Sequence, residues 1–325
     1  MCAALTIRPV SALLESLGIE LPVVQAGMGG GLAGHELAVA VAEAGGLGTI
    51  GTLPPRGLAR ELRAARAATR QPIAVNLIQP LVGRRHWEVA RGADVIVTHW
   101  GRPRRRAGGV WIHQCGSLAE ARAAHAAGAD AVIAQGVEAG GHTRAALPAR
   151  ELFERVRAAL PDTYPVLLAG GIADAADVRA ALEAGAAAAV LGTRFLMTEE
   201  SGAHPGYKTR LVAGRETLLT DLFGFGWPAP HRVLPNAATR RWLRPDGRTP
   251  RAIRALNRIS GPLGRLPLPG SPPAQRAGFP ILTPYSVTVG RPDSQLEAGA
   301  LYAGETVARI GDVAPAGELT RALAR

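Results

Sequence analysis

Of the eight histidines in this chain, His142 has the neighbours best suited to chemistry. It closes the run Glu138-Ala139-Gly140-Gly141-His142, where two residues without side chains free the backbone to take an unusual path and aim an imidazole. Imidazole titrates near working pH, so a histidine delivered in this way can take up or give a proton, or present a positive charge. The plain alternative is a polar loop residue, and the place of the run in the fold decides between the two.

Two further loops have the makings of an anion site. Residues 168–174 (LAGGIAD) and 191–195 (LGTRF) each put small residues at the end of an apolar run. The amides of Gly170 and Gly171 can close on a phosphate at the start of the following helix, and Gly192 with Thr193 can add amides and a hydroxyl. Residues 25–31 (QAGMGGG) form a nearly bare loop in which Met28 can lie against a flat ring. Asn76 and Gln135 end apolar runs, where an amide serves both donors and acceptors on a ring edge or simply shapes a turn. A phosphate plus a planar heterocycle with mixed edges describes a flavin mononucleotide.

The elements that must position these groups follow from eight short apolar runs, at 22–27, 46–51, 72–78, 93–100, 109–115, 130–136, 165–171 and 187–193. Each is nearly continuous, as a strand covered on both faces should be. Ala-rich helical stretches separate them. Ser117 with Glu120 reads as a capping box and Gly128 as a stop; Asp174 and Gly185 play the same parts in the next helix but one. Eight βα units with helical crossovers predict a (β/α)8 TIM barrel. A doubly wound open sheet would need a dinucleotide loop, which residues 26–31 only roughly resemble, and no acidic residue ends the next strand. In a barrel the loops after the strands carry the active site, so His142, after the sixth strand, lies on the catalytic face. His99 is expected to line the site, and His113, deeper in its strand, to make a core hydrogen bond.

Past residue 200 the alternation stops. Residues 1–200 are read as the barrel, 201–295 as a mostly helical lid, and 296–325 as a return ending in a helix packed on the barrel. Residues 259–273 are a Pro/Gly-rich linker. Phe223, Phe225, Trp227 and Trp242 read as lid packing or as walls of a substrate pocket.

Composition excludes several classes. The net charge of +11 comes almost entirely from scattered arginine, since Lys208 is the one lysine, and aromatic residues make up only 4%. Neither feature suits nucleic-acid binding. A Schiff-base aldolase would need a lysine at a strand end, and Lys208 lies beyond the eighth. Cys2 and Cys115 are too few for a disulfide framework or a zinc site, and no metal is expected. Apolar runs are too short for a membrane span and the N-terminus does not read as a signal peptide, so a cytoplasmic protein is expected.

The segments VVQAGMGG, AVNLIQP, AGADAVIAQGVEAGGHTR and PVLLAGGIADAADVRAALEAGAAAAVLGTRFLMTEES resemble the nitronate monooxygenase (2-nitropropane dioxygenase-like) family, over residues 22–201. The resemblance implies an FMN-dependent barrel with His142 as the catalytic residue. It places the phosphate at Gly170, Gly171, Gly192 and Thr193 and the isoalloxazine ring at Met28, Asn76 and Gln135, with Ala26, Gly27, Gly140 and Gly141 completing the cofactor contacts. It further implies oxidation of alkyl nitronates, or of nitroalkanes, with O2 to a carbonyl compound and nitrite; the oligomeric state is left open by the sequence, with a homodimer as one option. Relatives of the same fold act as NAD(P)H:quinone or enoyl reductases. Two departures stand out: Gly27 replaces a proline and is expected to loosen the first loop, and Arg144 is expected to add a positive charge beside the site.

Overall fold

All eight apolar runs fold as strands: β1 Val23–Gln25, β2 Gly48–Ile50, β3 Ile73–Ile78, β4 Val95–His99, β5 Val110–Cys115, β6 Ala131–Gln135, β8 Val166–Ala169 and β9 Ala189–Leu191. A two-residue strand, β7 Gly141–His142, stands apart from them. The computed structural model describes residues 12–106, 108–261 and 275–325; Cys2 and residues 262–273 of the linker lie outside the described residues. Ile259 and Ser260, read as linker, instead close a helix.

The strands pair in parallel in the order β1-β9-β8-β6-β5-β4-β3-β2. A parallel bridge between Val24 and Leu47 joins the two ends of that order and makes the sheet a barrel. Strand alternation sorts the side chains. Val24, Ala74, Val97, Ile112, Ile133, Leu167 and Val190 form an interior cluster, which Leu14 of helix α1 (Ala12–Ser16) joins. Their neighbours Val23, Val132, Val166, Leu168 and Leu191 turn outward into a second cluster, under the helices.

Helices α2 (His35–Glu43), α3 (Pro55–Ala68), α4 (Arg84–Ala90), α5 (Leu118–Ala126), α6 (Ala149–Ala159) and α7 (Ala175–Glu183) form that outer layer. The amphipathic spacing is plain in α3, which buries Leu58, Leu62 and Ala65, and Pro55 starts it where an amide is dispensable. One crossover departs from expectation: none of the described residues between β4 and β5 is helical. Arginine side chains shield the strand and helix aromatics there, Arg105 over Trp111 and Arg106 over Trp87. The capping box of α5 is also only half formed. Ser117 accepts from the Glu120 amide, but the Glu120 carboxylate accepts from the Gly116 amide instead of reaching back to Ser117.

Beyond β9 the chain forms α8 (Thr193–Leu196), α9 (Pro205–Ala213), the strands β10 (Leu218–Thr220) and β11 (His231–Val233), α10 (Ala237–Trp242), α11 (Arg251–Ser260), α12 (Gln295–Ala298) and α13 (Ala316–Leu323). Leu319 and Leu323 of α13 join the outer cluster beside Leu37 and Val41 of α2. Strand β11 pairs with β10 on one side and with β7 on the other, both antiparallel, so the His142 segment is an edge of a three-stranded sheet. Among the described residues no helix is long and apolar enough to cross a membrane.

Candidate active site

The inward parity of each strand carries one step beyond the apolar interior. Two residues past Ala74, Val97, Ile112 and Ile133 come Asn76, His99, Gln114 and Gln135, so four polar side chains cap the interior at the C-terminal mouth. Three of them are buried, Asn76, His99 and Gln135. The Thr52 hydroxyl donates to the Asn76 carbonyl (2.9 Å) and accepts from the Ile78 amide (3.0 Å), tying the loop after β2 to the end of β3. Gln114 Nε2 donates to His99 Nδ1 at 3.3 Å. Burial holds His99 down to about 3, well under an ordinary imidazole, so it is neutral.

The first loop reaches the same mouth. Ala26 donates its amide to Leu191 (2.9 Å), and the Met28 carbonyl accepts from Ala33 (3.1 Å). Gly27 does not loosen this loop: a Cβ there would stand 2.2 Å from Asn76 Cβ. Its glycine is required by the close approach of this loop to β3, a role no proline could fill without displacing Asn76.

His142 pairs across the β7–β11 ladder with His231. Its ring stacks on Trp227, with centroids 4.1 Å apart, and meets His231 at 5.2 Å and Tyr302 at 5.4 Å. The ring is half-buried, yet its Nε2 is sealed from water and has no hydrogen-bond partner among the described residues. Burial, then the nearby His231 and His99, hold its pKa well below that of free imidazole. His231 is locked neutral behind it: Nδ1–H donates to the Ala229 carbonyl (2.9 Å) and Nε2 accepts from the Phe223 amide (3.3 Å). Gln135 Nε2 donates to the His142 carbonyl at 3.4 Å, which leaves its buried Oε1 without a donor.

At the far side of the mouth the β8–β9 ladder ends at Ala169 and Val190. Gly170 and Gly171 beyond it have φ of 106° and 74°, a region closed to most side chains. A Cβ on Gly171 would meet nothing within 4 Å, so open space lies before it. Thr193 Oγ1 accepts from the Gly304 amide (2.9 Å), which leaves its proton to donate. Gly140 packs where a Cβ would come within 2.6 Å of the Gly304 nitrogen and 3.0 Å of Thr193 Oγ1. The loops after β6 and β9 and residues 303–304 thus converge on one point, and Gly192 sits beside Ala26.

One expectation changes here. The N-terminus of α7 begins four residues past Gly171 and is already occupied: Asp174 caps the Asp177 amide (3.0 Å), Asp177 accepts from Ala173 (2.8 Å), and Arg309 pairs with both carboxylates. An anion before Gly170 and Gly171 would meet loop amides and the start of α8, not the end of α7.

The residues fit a flavin. The buried Oε1 of Gln135 lacks a donor, Thr193 keeps a hydroxyl proton to give, and open space lies before Gly171, while Asn76 lies toward the end of its strand at the same mouth. Arg144 does not bring a free charge to it. Its guanidinium pairs with the Glu120 carboxylate at 2.7 Å and lies over the Trp100 ring, 5.2 Å from its centroid. Burial works against the charge of Glu120, but His113, the Gly116 amide and Arg144 outweigh it and keep the carboxyl below its usual range. His113 makes the core hydrogen bond expected of it, to Thr98 Oγ1 at 2.8 Å. Trp227 reaches the site, whereas Phe223 lies in a separate cluster with Leu222, Val233, Ile253 and Leu282, and Trp242 packs against it. The Lys208 ammonium is held by the carbonyls of Thr198 and Glu199.

Sequence reasoning passed over Gln114, Trp100, Gln79, Tyr302 and His231. Strand parity points to Gln114, two residues past inward Ile112. Trp100 follows the last residue of β4 and is the one described non-glycine residue with positive φ, at 64°. Tyr302 and His231 come from the region past residue 200, where no periodicity assigned them a place.

The nitronate monooxygenase family model matches residues 10–100 and 89–325 of the chain. A dehydrogenase of Mycobacterium tuberculosis, named for 5-hydroxy-7a-methyl-1-oxo-octahydro-1H-indene-4-carboxyl-CoA, is 31% identical over 96% of this chain and 94% of its own. Among solved structures, FabK of Thermotoga maritima superposes with a TM-score of 0.76 at 29% identity, covering 98% of this chain and 95% of its own. The nitroalkane oxidase of Streptomyces ansochromogenes does so at 0.73 and 31%, over 96% of each chain. Since the family match runs over both the barrel and the segments past residue 200, the chain belongs to the nitronate monooxygenase family and is a flavin-dependent oxidoreductase.

Proposed function

We propose that the protein binds FMN and oxidises small alkyl nitronates or nitroalkanes with O2 to a carbonyl compound and nitrite. The observation that carries the reading is His142, a neutral imidazole with a buried, unpartnered Nε2 at the mouth of the barrel. The bound flavin would supply the electron acceptor. Ala26, Gly27, Met28, Asn76 and Gln135 would hold its ring, Gly140 and Gly141 would let the chain pass close beside it, and Gly170, Gly171, Gly192 and Thr193 would take its phosphate.

A neutral His142 has a lone pair for the acidic α-hydrogen of a nitroalkane. It does not supply the positive charge that would hold a nitronate, which favours the base over the cationic anchor. Trp227 stacked on its face and His231 behind it fix the ring and exclude water, so the proton moves at Nε2. The partners in this reading are the small substrate and O2, with no nucleic acid or membrane. Cys115, a buried unbridged thiol, suits a reducing cytoplasm.

A second reading keeps the flavin but makes the protein a dehydrogenase or an NAD(P)H-dependent quinone or enoyl reductase. The near full-length match to the carboxyl-CoA dehydrogenase favours it. Visible spectra of the purified protein without oxygen separate the two. Loss of flavin absorbance on adding propyl-2-nitronate alone supports the oxidase; bleaching by NADH and not by the nitronate supports the reductase. A colourless protein that FMN does not reconstitute overturns both.

A further inference from the structure

Two buried donors at the mouth have no acceptor among the described residues, Gln79 Nε2 and Trp100 Nε1. They are neighbours. Ile78 and His99 are register partners at the ends of β3 and β4, and Gln79 and Trp100 are the residues that follow them. Gly101 confirms the approach, since a Cβ there would lie 3.1 Å from Gln79 Cβ. Trp100 also carries backbone strain, a bulky residue at φ 64°, and strain of this kind persists only where the surroundings impose it. The surroundings are specific: Arg144 over one face of the indole at 5.2 Å and Trp227 edge-on at 5.3 Å. Arg144 is itself fixed by Glu120, whose other oxygen accepts the Gly116 amide at 3.0 Å. Trp227 continues the wall to His142.

We propose that Trp100 Nε1–H and Gln79 Nε2–H form a two-donor site for the paired oxygens of a planar substrate head, a nitro or nitronate group, with Arg144 and Glu120 as positioning residues for the indole. The inference rests on the nitronate reading and extends it. It assigns recognition of the oxygens to the ends of β3 and β4, on the Trp227 side of His142. A substrate seated there would present its oxygens to one amide and one indole N–H donor and its α-carbon toward the imidazole. An unmet buried N–H is unfavourable in the free site, and a substrate that answers it gains that difference on binding.

Isobutyrate, an unreactive anion whose planar carboxylate on a tetrahedral α-carbon has the heavy-atom arrangement of 2-nitropropane, is the probe. Its affinity for the FMN-loaded protein is read by calorimetry and by perturbation of the flavin spectrum. Trp100→Phe keeps the ring and removes the donor, and Gln79→Leu removes the other; each is expected to weaken isobutyrate by roughly 10-fold to 100-fold with flavin content unchanged. Arg144→Met should weaken it less, and should add nothing in the Trp100→Phe background, because its effect passes through the indole. Undiminished affinity in both Trp100→Phe and Gln79→Leu overturns the proposal and leaves the indole N–H to the face of Trp227. Should Trp100→Phe lose its flavin, the Gln79→Leu and Arg144→Met measurements decide alone. Isobutyrate binding that depends on Trp100 in a protein inert to nitronates would support this site and refute the nitronate reading. Nitronate turnover untouched by either substitution would do the reverse.

Discussion

Lowering the pH from 7 to 5 should cost this protein about 4 kcal/mol of stability through two histidines alone. His99 and His231 are buried, and burial takes their pKa values from 6.5 down to about 3 and about 4. In the unfolded chain both titrate near 6.5, so below that pH the unfolded state binds protons that the folded state refuses. Stability therefore rises with pH across this window: it is intact above about 6.5, declines as pH falls below it, and is fully lost only near the folded values. At pH 5 the unfolded groups sit about 1.5 units below their midpoint while the folded groups are still neutral. At about 1.4 kcal/mol per unit, each contributes a loss of about 2 kcal/mol. His142, also held low, adds to the same trend. For a domain with a net stability of roughly 5–15 kcal/mol this is a large share. Urea unfolding followed by circular dichroism at pH 7, 6 and 5, at constant ionic strength with excess FMN, measures it. His231→Gln keeps a donor and an acceptor for Ala229 and Phe223, and should remove about half of the pH dependence. A stability that stays level or rises from pH 7 to 5 would refute the argument that these imidazoles are sealed in the neutral state.

Other outcomes follow from single positions. His142→Asn is expected to keep its flavin and lose nitronate turnover by roughly 10²–10⁴-fold, measured by oxygen uptake; full activity would remove the histidine from the chemistry. Gly171→Val places a branched side chain at φ 74° in the open space before the loops proposed to take the phosphate. If the loop shifts to relieve the strain of about 1–3 kcal/mol, FMN should weaken roughly 5-fold to 150-fold, seen as flavin lost on gel filtration. Gly27→Ala should destabilise by about 1–3 kcal/mol in thermal unfolding, because its Cβ would overlap Asn76. A neutral result there would show that the first loop yields easily.

The barrel was legible because its signal is local and repeated. Eight apolar runs separated by Ala-rich stretches leave few arrangements open, and each run contains its strand. Legibility failed where one element was replaced by packing of a different kind. The β4–β5 crossover was expected to be helical, but the sequence GRPRRRAGG supplies guanidinium planes that cover Trp87 and Trp111 directly. Glu120 shows a second limit: its spacing from Ser117 suits a cap, yet a partner 24 residues away, Arg144, competes for the carboxylate. For the site, positions at strand ends could be read one at a time, as with His142, Asn76 and Gln135. Their companions Trp227, His231 and Tyr302 lie 85 to 160 positions on and meet His142 only through tertiary pairing, which no period in the sequence announces. Arg144 was legible as a residue and misleading as a charge, since its counter-ion, Glu120, comes from helix α5.

The small sheet of β7, β11 and β10 has a consequence for how such enzymes change. His142 and the segment that covers it are strands of one ladder, with His142 opposite His231 and Gly141 opposite Arg232. Replacing the segment over the mouth therefore re-registers the histidine: a slip of one residue along that ladder turns the imidazole to the opposite face. Insertions in the turn between β10 and β11 leave the pairing alone, whereas insertions within 231–233 do not. Diversification of what enters the mouth is thus channelled into residues 221–230, where the hairpin can lengthen without disturbing the ladder so long as Phe223, Trp227, Ala229 and Pro230 keep their contacts with His231, His142 and Thr143.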